Sequence, residues 1–340
     1  AGFTNINKVK IYGYGGNLQN ESLYASEIYA NDDLKEVPQC VVNGNHLFFG
    51  KGPVSWSSRT SSRRTRNPYS DYGYYFITQT DEAPLTVDST EFVSSFYPSN
   101  DFYHSIHEVD GYAWYHGGRN LYDKTPIALG DSMRVVFSNT TGDANGNLTV
   151  NVSAGVRNTG VEVYLNGRKL GTQYISFSTT EIYTLSLHDA HPISNTYSIQ
   201  SNLKNDTIVI KTIAGGPVRL DYVSMAWKSP KPAPRLSGNL PVAQYVHNIT
   251  NQDHHADALA DMVIIIPTSQ KLLRQAQRLK AFHESHDGLR VNLVPADELY
   301  NEFSSGTPDA GAYRRYLRML SDKATTEADM PKYLLLFGDC

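Results

Sequence analysis

The stretch MVIIIP, Met262–Pro267, is the longest uninterrupted apolar run in the chain. It is far shorter than the ~20 residues that a membrane helix needs. A β-branched run of this kind reads instead as a strand buried on both faces, as in a parallel sheet. Downstream, Thr268 or Ser269 is expected to cap a helix with Leu272, Ala276 and Leu279 on one face and Lys271, Arg274, Arg278 and Lys280 largely outside it. LRVNLV (Leu289–Val294) is the second expected strand. Thr307-Pro308-Asp309 reads as the cap, first-turn proline and first-turn acid of another helix, with Ala312, Tyr313, Tyr316, Leu317 and Leu320 on its inner side. YLLLF (Tyr333–Phe337) is the third strand. Strand, helix, strand, helix, strand implies a right-handed parallel α/β unit. Ligands of such sheets gather at the carboxyl ends of the strands, where Gly338 and Asp339 fall. A receiver-like domain is disfavoured, because the first strand ends in Pro267 rather than in an acidic cluster.

Upstream the rhythm is different. MRVVF (Met133–Phe137), LTVNV (Leu148–Val152), VEVYL (Val161–Leu165), TIVIK (Thr207–Lys211) and VRLDYVSMAW (Val218–Trp227) are short, β-branched or aromatic, and separated by Asn, Gly and Asp. Asn166-Gly167 signals a two-residue hairpin, since both residues tolerate positive φ. The expectation is an antiparallel sandwich or jelly roll, with the first hundred or so residues a possible second β-module. KSPKPAPRLSGNLP (Lys228–Pro241) packs four prolines into fourteen residues and reads as an extended linker. The fold class is therefore multidomain, an all-β amino-terminal region followed by α/β. The expected division is 1–227 β-rich, 228–260 linker and 261–340 α/β.

At 340 residues the chain has room for two or three cores. Its 40% apolar and 19% charged residues exclude a disordered chain. A net charge of -4 offers no footprint for nucleic acid. The one basic run, RTSSRRTR (Arg59–Arg66), reads as a solvated loop. Two cysteines, Cys40 and Cys340, are too few for a disulfide framework. The chain opens on Ala1 with no leader, so an export signal is expected to be missing or removed.

Several clusters invite a chemical reading. His188, Asp189 and His191 fall within TTEIYTLSLHDAHPIS (Thr179–Ser194), but fourteen of its first fifteen positions agree with TTEIYTLSLHDALPI, an in-frame translation of a sequencing adaptor. The segment is therefore read as an assembly artefact in a metagenomic sequence, and a long read that retained it would refute this. FYHSIHEVDGYAWYHGG (Phe102–Gly118) brings His104, His107, Glu108, Asp110 and His116 together at no recognised metal spacing, so packing is the favoured reading. His254-His255 is placed in the polar approach to the first α/β strand, and His283 and His286 close a helix. YGYGG (Tyr12–Gly16) precedes no helix and reads as a turn rather than a phosphate cradle. Cys340 lacks a visible base or oxyanion donors, so it is not assigned as a nucleophile.

ITNQDHHADALADMVIIIP, LYNEFSSGTPDAGAYRRYLRML and PKYLLLFGD resemble the opening of the gingipain-like cysteine peptidase domain of type IX secretion sortases. VKIYGYGG, LFFGKGP, WYHGGRNLYD and GPVRLDYVSMAW resemble the β-rich amino-terminal region of that family. The resemblance implies a caspase-like fold with a Cys/His dyad carried on later strands, in a Gly-His-Gly turn and after a further strand. Neither position is matched here, so no catalytic residue is assigned and the 340-residue polypeptide is expected to be inactive alone, the start of a longer enzyme. It also implies removal of the carboxy-terminal signal of secreted cargo, transfer to lipopolysaccharide, partnership with other outer-membrane secretion components, and a place at the bacterial cell surface. No cofactor is implied; Asp339 could orient the site or hold a structural cation, although an Asp accepting backbone bonds in its turn is preferred, and the metal question is left open. The alternative is a non-catalytic adhesin or carbohydrate-binding sandwich.

Overall fold

The computed structural model describes residues 2–20, 32–95, 103–114, 120–139, 143–175, 193–228 and 241–338. The chain forms two compact units, and both are discontinuous in sequence. One gathers Ala1–Ser55, Arg66–Phe96 and Val242–Cys340, the other Trp56–Thr65 and Tyr97–Pro241. The linear division at 228–260 thus does not follow the compact units: most of the first hundred residues pack with the carboxyl-terminal α/β segment. The linker's 229–240 lie outside the described residues.

In the first unit, β1 (Val9–Tyr12) runs antiparallel to β6 (Phe76–Gln79), and β2 (Gln39–Val42) pairs with β3 (Asn45–Phe48). The sequence passes from one unit to the other and back within β4 (Val54–Trp56) and β5 (Arg64–Arg66), a further two-stranded sheet, and α1 of the first unit spans Ser89–Ser95. The second unit adds β7 (His104–Glu108), β8 (Ser132–Ser138), β9 (Asn145–Ala154), β10 (Thr159–Leu165), β11 (Arg168–Ile175), β12 (Ile193–Gln200), β13 (Asn205–Ala214) and β14 (Val218–Trp227). They form two four-stranded sheets, β11-β10-β13-β8 and β12-β9-β14-β7. Alternate side chains of both sheets, among them Leu148, Val150, Val163, Ile208, Ile210, Val223 and Trp227, meet in one core. Asn166 and Gly167 carry φ of 52° and 82° at the β10–β11 turn, as the Asn-Gly pair requires.

The basic run departs from expectation. Residues 56–65 lie across the outer face of β12-β9-β14-β7. Ser62 bonds Thr149 (Oγ to Oγ1, 2.8 Å), Ser224 donates to the Ser62 carbonyl, and Asn147 Nδ2 donates to the Thr60 carbonyl at 3.2 Å. Arg64 pairs with Glu108 and with Asp221 at 2.9 Å, its guanidinium 4.3 Å above the Tyr222 ring. Polar outward positions of β9 and β14 are therefore buried, and Arg64 is held by two acids rather than solvated.

The carboxyl-terminal segment holds β15 (Met262–Ile266), α2 (Leu273–His286), β16 (Val291–Pro295), α3 (Ala296–Phe303), α4 (Gly311–Lys323) and β17 (Tyr333–Leu336). The strands are parallel in the order β16-β15-β17. Their alternation sorts two cores. Met262, Ile264 and Ile266 pack with Ala276 and Leu279 of α2, while Val263 and Ile265 pack with Leu299, Phe303, Tyr316 and Leu320 of α3 and α4. Asp261 ties the amino ends together. Its amide donates to Arg290 O (2.9 Å), its carbonyl accepts from Lys332 N and Tyr333 N (2.9 and 3.0 Å), and its carboxylate takes Arg290 Nε at 3.0 Å and Lys332 Nζ at 3.4 Å. Hydrogen bonds from Arg290 hold the Asp261 carboxyl well below the usual carboxylate range.

Neither expected cap forms. α2 starts after a turn in which Gln270 takes φ 52° and Leu273 N bonds Gln270 O, with no side-chain cap from Thr268 or Ser269. α4 begins three residues beyond Pro308, and Asp309 Oδ1 accepts from Gly311 N at 2.6 Å.

Candidate functional site

The order β16-β15-β17 means that the chain leaves β15 to one side and returns to its other side. The direction changes between β15 and β17, where open α/β sheets place their ligands outside the strand carboxyl ends. That rim is formed by Pro267, Phe337 and Gly338: Phe337 N donates to Ile265 O at 2.8 Å, and a Cβ on Gly338 would lie 2.8 Å from Pro267 Cγ. Asp297, in the first turn of α3 just after β16, has a buried Oδ1 without a partner. Asp339 and Cys340 lie outside the described residues, as do His188, Asp189, His191 and His116.

The densest titratable cluster of this segment lies around His254 and His255. Asp253 caps the 3-10 turn His254–Ala256 by accepting from Ala256 N. His254 Nδ1 is 2.9 Å from Asp257 and its Nε2 2.9 Å from Glu298. Two carboxylates, one at each ring nitrogen, require both nitrogens to donate, so the ring is an imidazolium. Burial works against that charge, but the bonds to Asp257 and Glu298 outweigh it and raise the His254 pKa to about 9. His255 Nδ1 is 2.9 Å from Glu302 and Nε2 is 3.2 Å from the Asp32 carbonyl, again two acceptors. The Glu302 bond leads in raising the His255 pKa over the cost of burial.

Glu302 also accepts from Gln252 Nε2 (2.7 Å) and His254 N (2.9 Å). Although burial pushes its pKa up, the bond from the His255 ring, followed by these donors, lowers it to about 2. Asp257 takes the Tyr316 hydroxyl at 2.6 Å, which itself receives Asn292 Nδ2 at 3.1 Å. Asp253, His255 and Glu302 place ligand-type atoms within 4.8 Å of one another, the one such group among the described residues. Both Glu302 oxygens are already taken by Gln252, the backbone amides of His254 and His255 and the His255 ring, and both His255 nitrogens face oxygen acceptors. The arrangement therefore suits a hydrogen-bonded clasp between the approach to β15 and helices α3 and α4, rather than a metal centre.

Among the described residues the other histidines do not converge. His104 stacks on Trp56 at 3.9 Å with Nε2 2.8 Å from the Ser61 carbonyl, Glu108 is engaged by Arg64, and His107 lies opposite Val223 in the sheet. His283 and His286 both bond Asp287 at the end of α2 (2.6 and 2.8 Å), as their helix-closing position suggests. YGYGG is a turn without a helix. A Cβ on Gly15 would lie 2.6 Å from the Lys51 carbonyl, and one on Gly16 2.9 Å from Gly52, so these glycines serve close backbone packing.

Residues 255–340 match peptidase family C25. This carboxyl-terminal segment is gingipain-like. In fold the chain is similar to dimeric latent PorU from Porphyromonas gingivalis, with a TM-score of 0.72 at 24% identity, covering 99% of this chain and 39% of that one. The chain thus spans well under half the length of that PorU. Weaker likenesses, too slight to carry an argument, are to a family 35 carbohydrate-binding module from an environmental isolate (TM-score 0.26, 17% identity, 38% of this chain and 91% of that) and to the CBM36-1 domain of a multidomain xylanase from the hindgut metagenome of Trinervitermes trinervoides (TM-score 0.25, 14% identity, 37% and 98%). No curated protein matches.

Proposed function

We propose that the chain is the amino-terminal part of a cell-surface cysteine peptidase that removes the carboxy-terminal secretion signal of type IX cargo and can pass the cargo to lipopolysaccharide. The observation that carries this reading is the C25 match over the segment whose parallel sheet presents its carboxyl rim at Pro267 and Gly338. In this reading a cysteine thiolate attacks the carbonyl carbon at the cargo boundary, the C–N bond breaks as a histidine protonates the leaving amine, and a thioester remains. Water then releases the cargo as an acid, or a lipopolysaccharide amine forms an amide and returns the thiolate. The partners are cargo proteins, outer-membrane secretion components and lipopolysaccharide, and the place is the outer surface of the cell.

Nucleotide sequence 3′ of the Cys340 codon tests the reading. It expects a Gly-His-Gly turn and, beyond a further strand, a cysteine; an open frame lacking both would refute it and favour the adhesin-like alternative. Purified 1–340 is expected to show no thiol-dependent cleavage, and cleavage lost in Cys340→Ser would overturn that assignment.

A further inference from the structure

The connection between α3 and α4, residues 304–310, is polar in sequence yet buries its polar residues, while Pro308 and Ala310 stay exposed. Ser304, Ser305, Thr307 and Asp309 are 2%, 0%, 2% and 3% exposed, and Arg315 beside them 4%. Polar loops normally run over the surface, where water satisfies their backbone. The cover here comes from the chain's beginning. Ser305 Oγ accepts from Tyr14 N at 3.2 Å and donates to the Tyr74 carbonyl at 3.0 Å, so one hydroxyl joins two segments that are distant in sequence. The Tyr14 hydroxyl donates to the Phe303 carbonyl at 3.0 Å, which also receives Arg315. Burial pushes the Tyr14 phenol well above its ordinary pKa, consistent with a closed contact.

Backbone conformation on both sides fits this approach. Gly13 has φ 127°, and a Cβ there would lie 2.6 Å from Ser305 Oγ; Gly306 has φ 79°, and its Cβ would lie 3.0 Å from Tyr74 Cβ. Ser305 itself is held at φ 51°, a conformation that costs a non-glycine residue free energy and persists where surrounding contacts fix it. A second tie joins the Asp32 carbonyl to His255 Nε2 at 3.2 Å.

We infer that the amino-terminal β-module is a permanent non-covalent subunit of the peptidase-type segment: residues 9–16 and 72–79 form the docking surface for the 304–310 loop, and the two stay together when the polypeptide between them is cut. The Ser304-Ser305-Gly306-Thr307 signature is thus an internal interface. Processing in the linker would leave a two-chain particle instead of releasing residues 241–340.

A site-specific protease sequence placed within 229–240 of the full chain tests this. After cutting, the two pieces are expected to co-elute on size exclusion at micromolar concentration. Combined Ser305→Ala and Tyr14→Phe removes the bridging hydroxyl and the Phe303 bond and is expected to weaken retention by about tenfold or more, whereas Tyr174→Phe, at an exposed ring of the sandwich outside the docking surface, leaves it unchanged. Separation of the pieces on cutting overturns the inference. In the uncut chain, amide exchange across 304–312 is expected to be slow and to accelerate at least about tenfold in Ser305→Ala; fast exchange in the parent protein, or no change in the variant, overturns it equally. These readouts involve no peptidase activity, so the inference stands or falls separately from the proposed function.

Discussion

His254 gives the sharpest prediction. Its ring lies between Asp257 and Glu298, 2.9 Å from each, and its pKa is raised from an ordinary 6.5 to about 9. A folded-state pKa above the unfolded one contributes stability that is fully present below about pH 6.5 and is lost as pH rises through 9. At 1.36 kcal/mol per unit, the full contribution is about 3 kcal/mol. At pH 7 the folded ring is charged and the unfolded one mostly neutral, so about 2.5 kcal/mol should disappear between pH 7 and 10. Urea unfolding of the full chain at half-unit pH steps, compared with His254→Gln, provides the assay. Lysines and tyrosines also titrate toward pH 10, but they are common to both proteins and cancel in the difference. The parent is expected to lose its advantage over the variant across this window. A constant difference from pH 7 to 10 would refute the imidazolium assignment and with it the clasp.

Arg64→Ala should destabilise the sandwich by about 1–3 kcal/mol, because it removes the guanidinium that bonds both Glu108 and Asp221, whose side chains are 11% and 6% exposed. Chemical denaturation monitored by tryptophan fluorescence measures it, and a loss under 1 kcal/mol would show that the Arg64 ion pairs are dispensable to the sandwich. Ile264→Ala removes a fully buried side chain between the sheet and α2 and should cost about 2–5 kcal/mol. With two compact units, calorimetry should place that loss in one transition, leaving the sandwich transition where it was.

The sandwich and the three parallel strands were legible in sequence, because β-branched runs and Asn-Gly punctuation report local backbone preference directly. MVIIIP, YLLLF and VRLDYVSMAW each became strands with few changes of boundary. The helix Ala296–Phe303 escaped notice: it starts directly after Pro295, the last residue of β16, with no polar residue to cap it. The acids Asp297 and Glu298 in its first turn were the available signal. Both proposed caps missed because a positive-φ turn at Gln270 and a side-chain bond from Asp309 determine where the helices begin. The histidine pair was placed correctly before β15, but its partners Glu298 and Glu302 lie 44 and 47 residues on. Ser305 and Tyr14 are 291 residues apart, so neither pattern nor spacing could join them. Periodicity records which face of an element is buried, not which distant segment buries it.

Asp261 fastens β15, β16 and β17 where they begin, whereas Pro267 and Gly338 stand where they finish. Anchorage and rim are thereby separated by the length of a strand. Substitutions at the finishing end can alter shape or charge without slipping the alignment of neighbouring strands, and a lesion at the fastening end would skew every position along the rim at once. Such a sheet tolerates experiment at one margin because it is intolerant at the other.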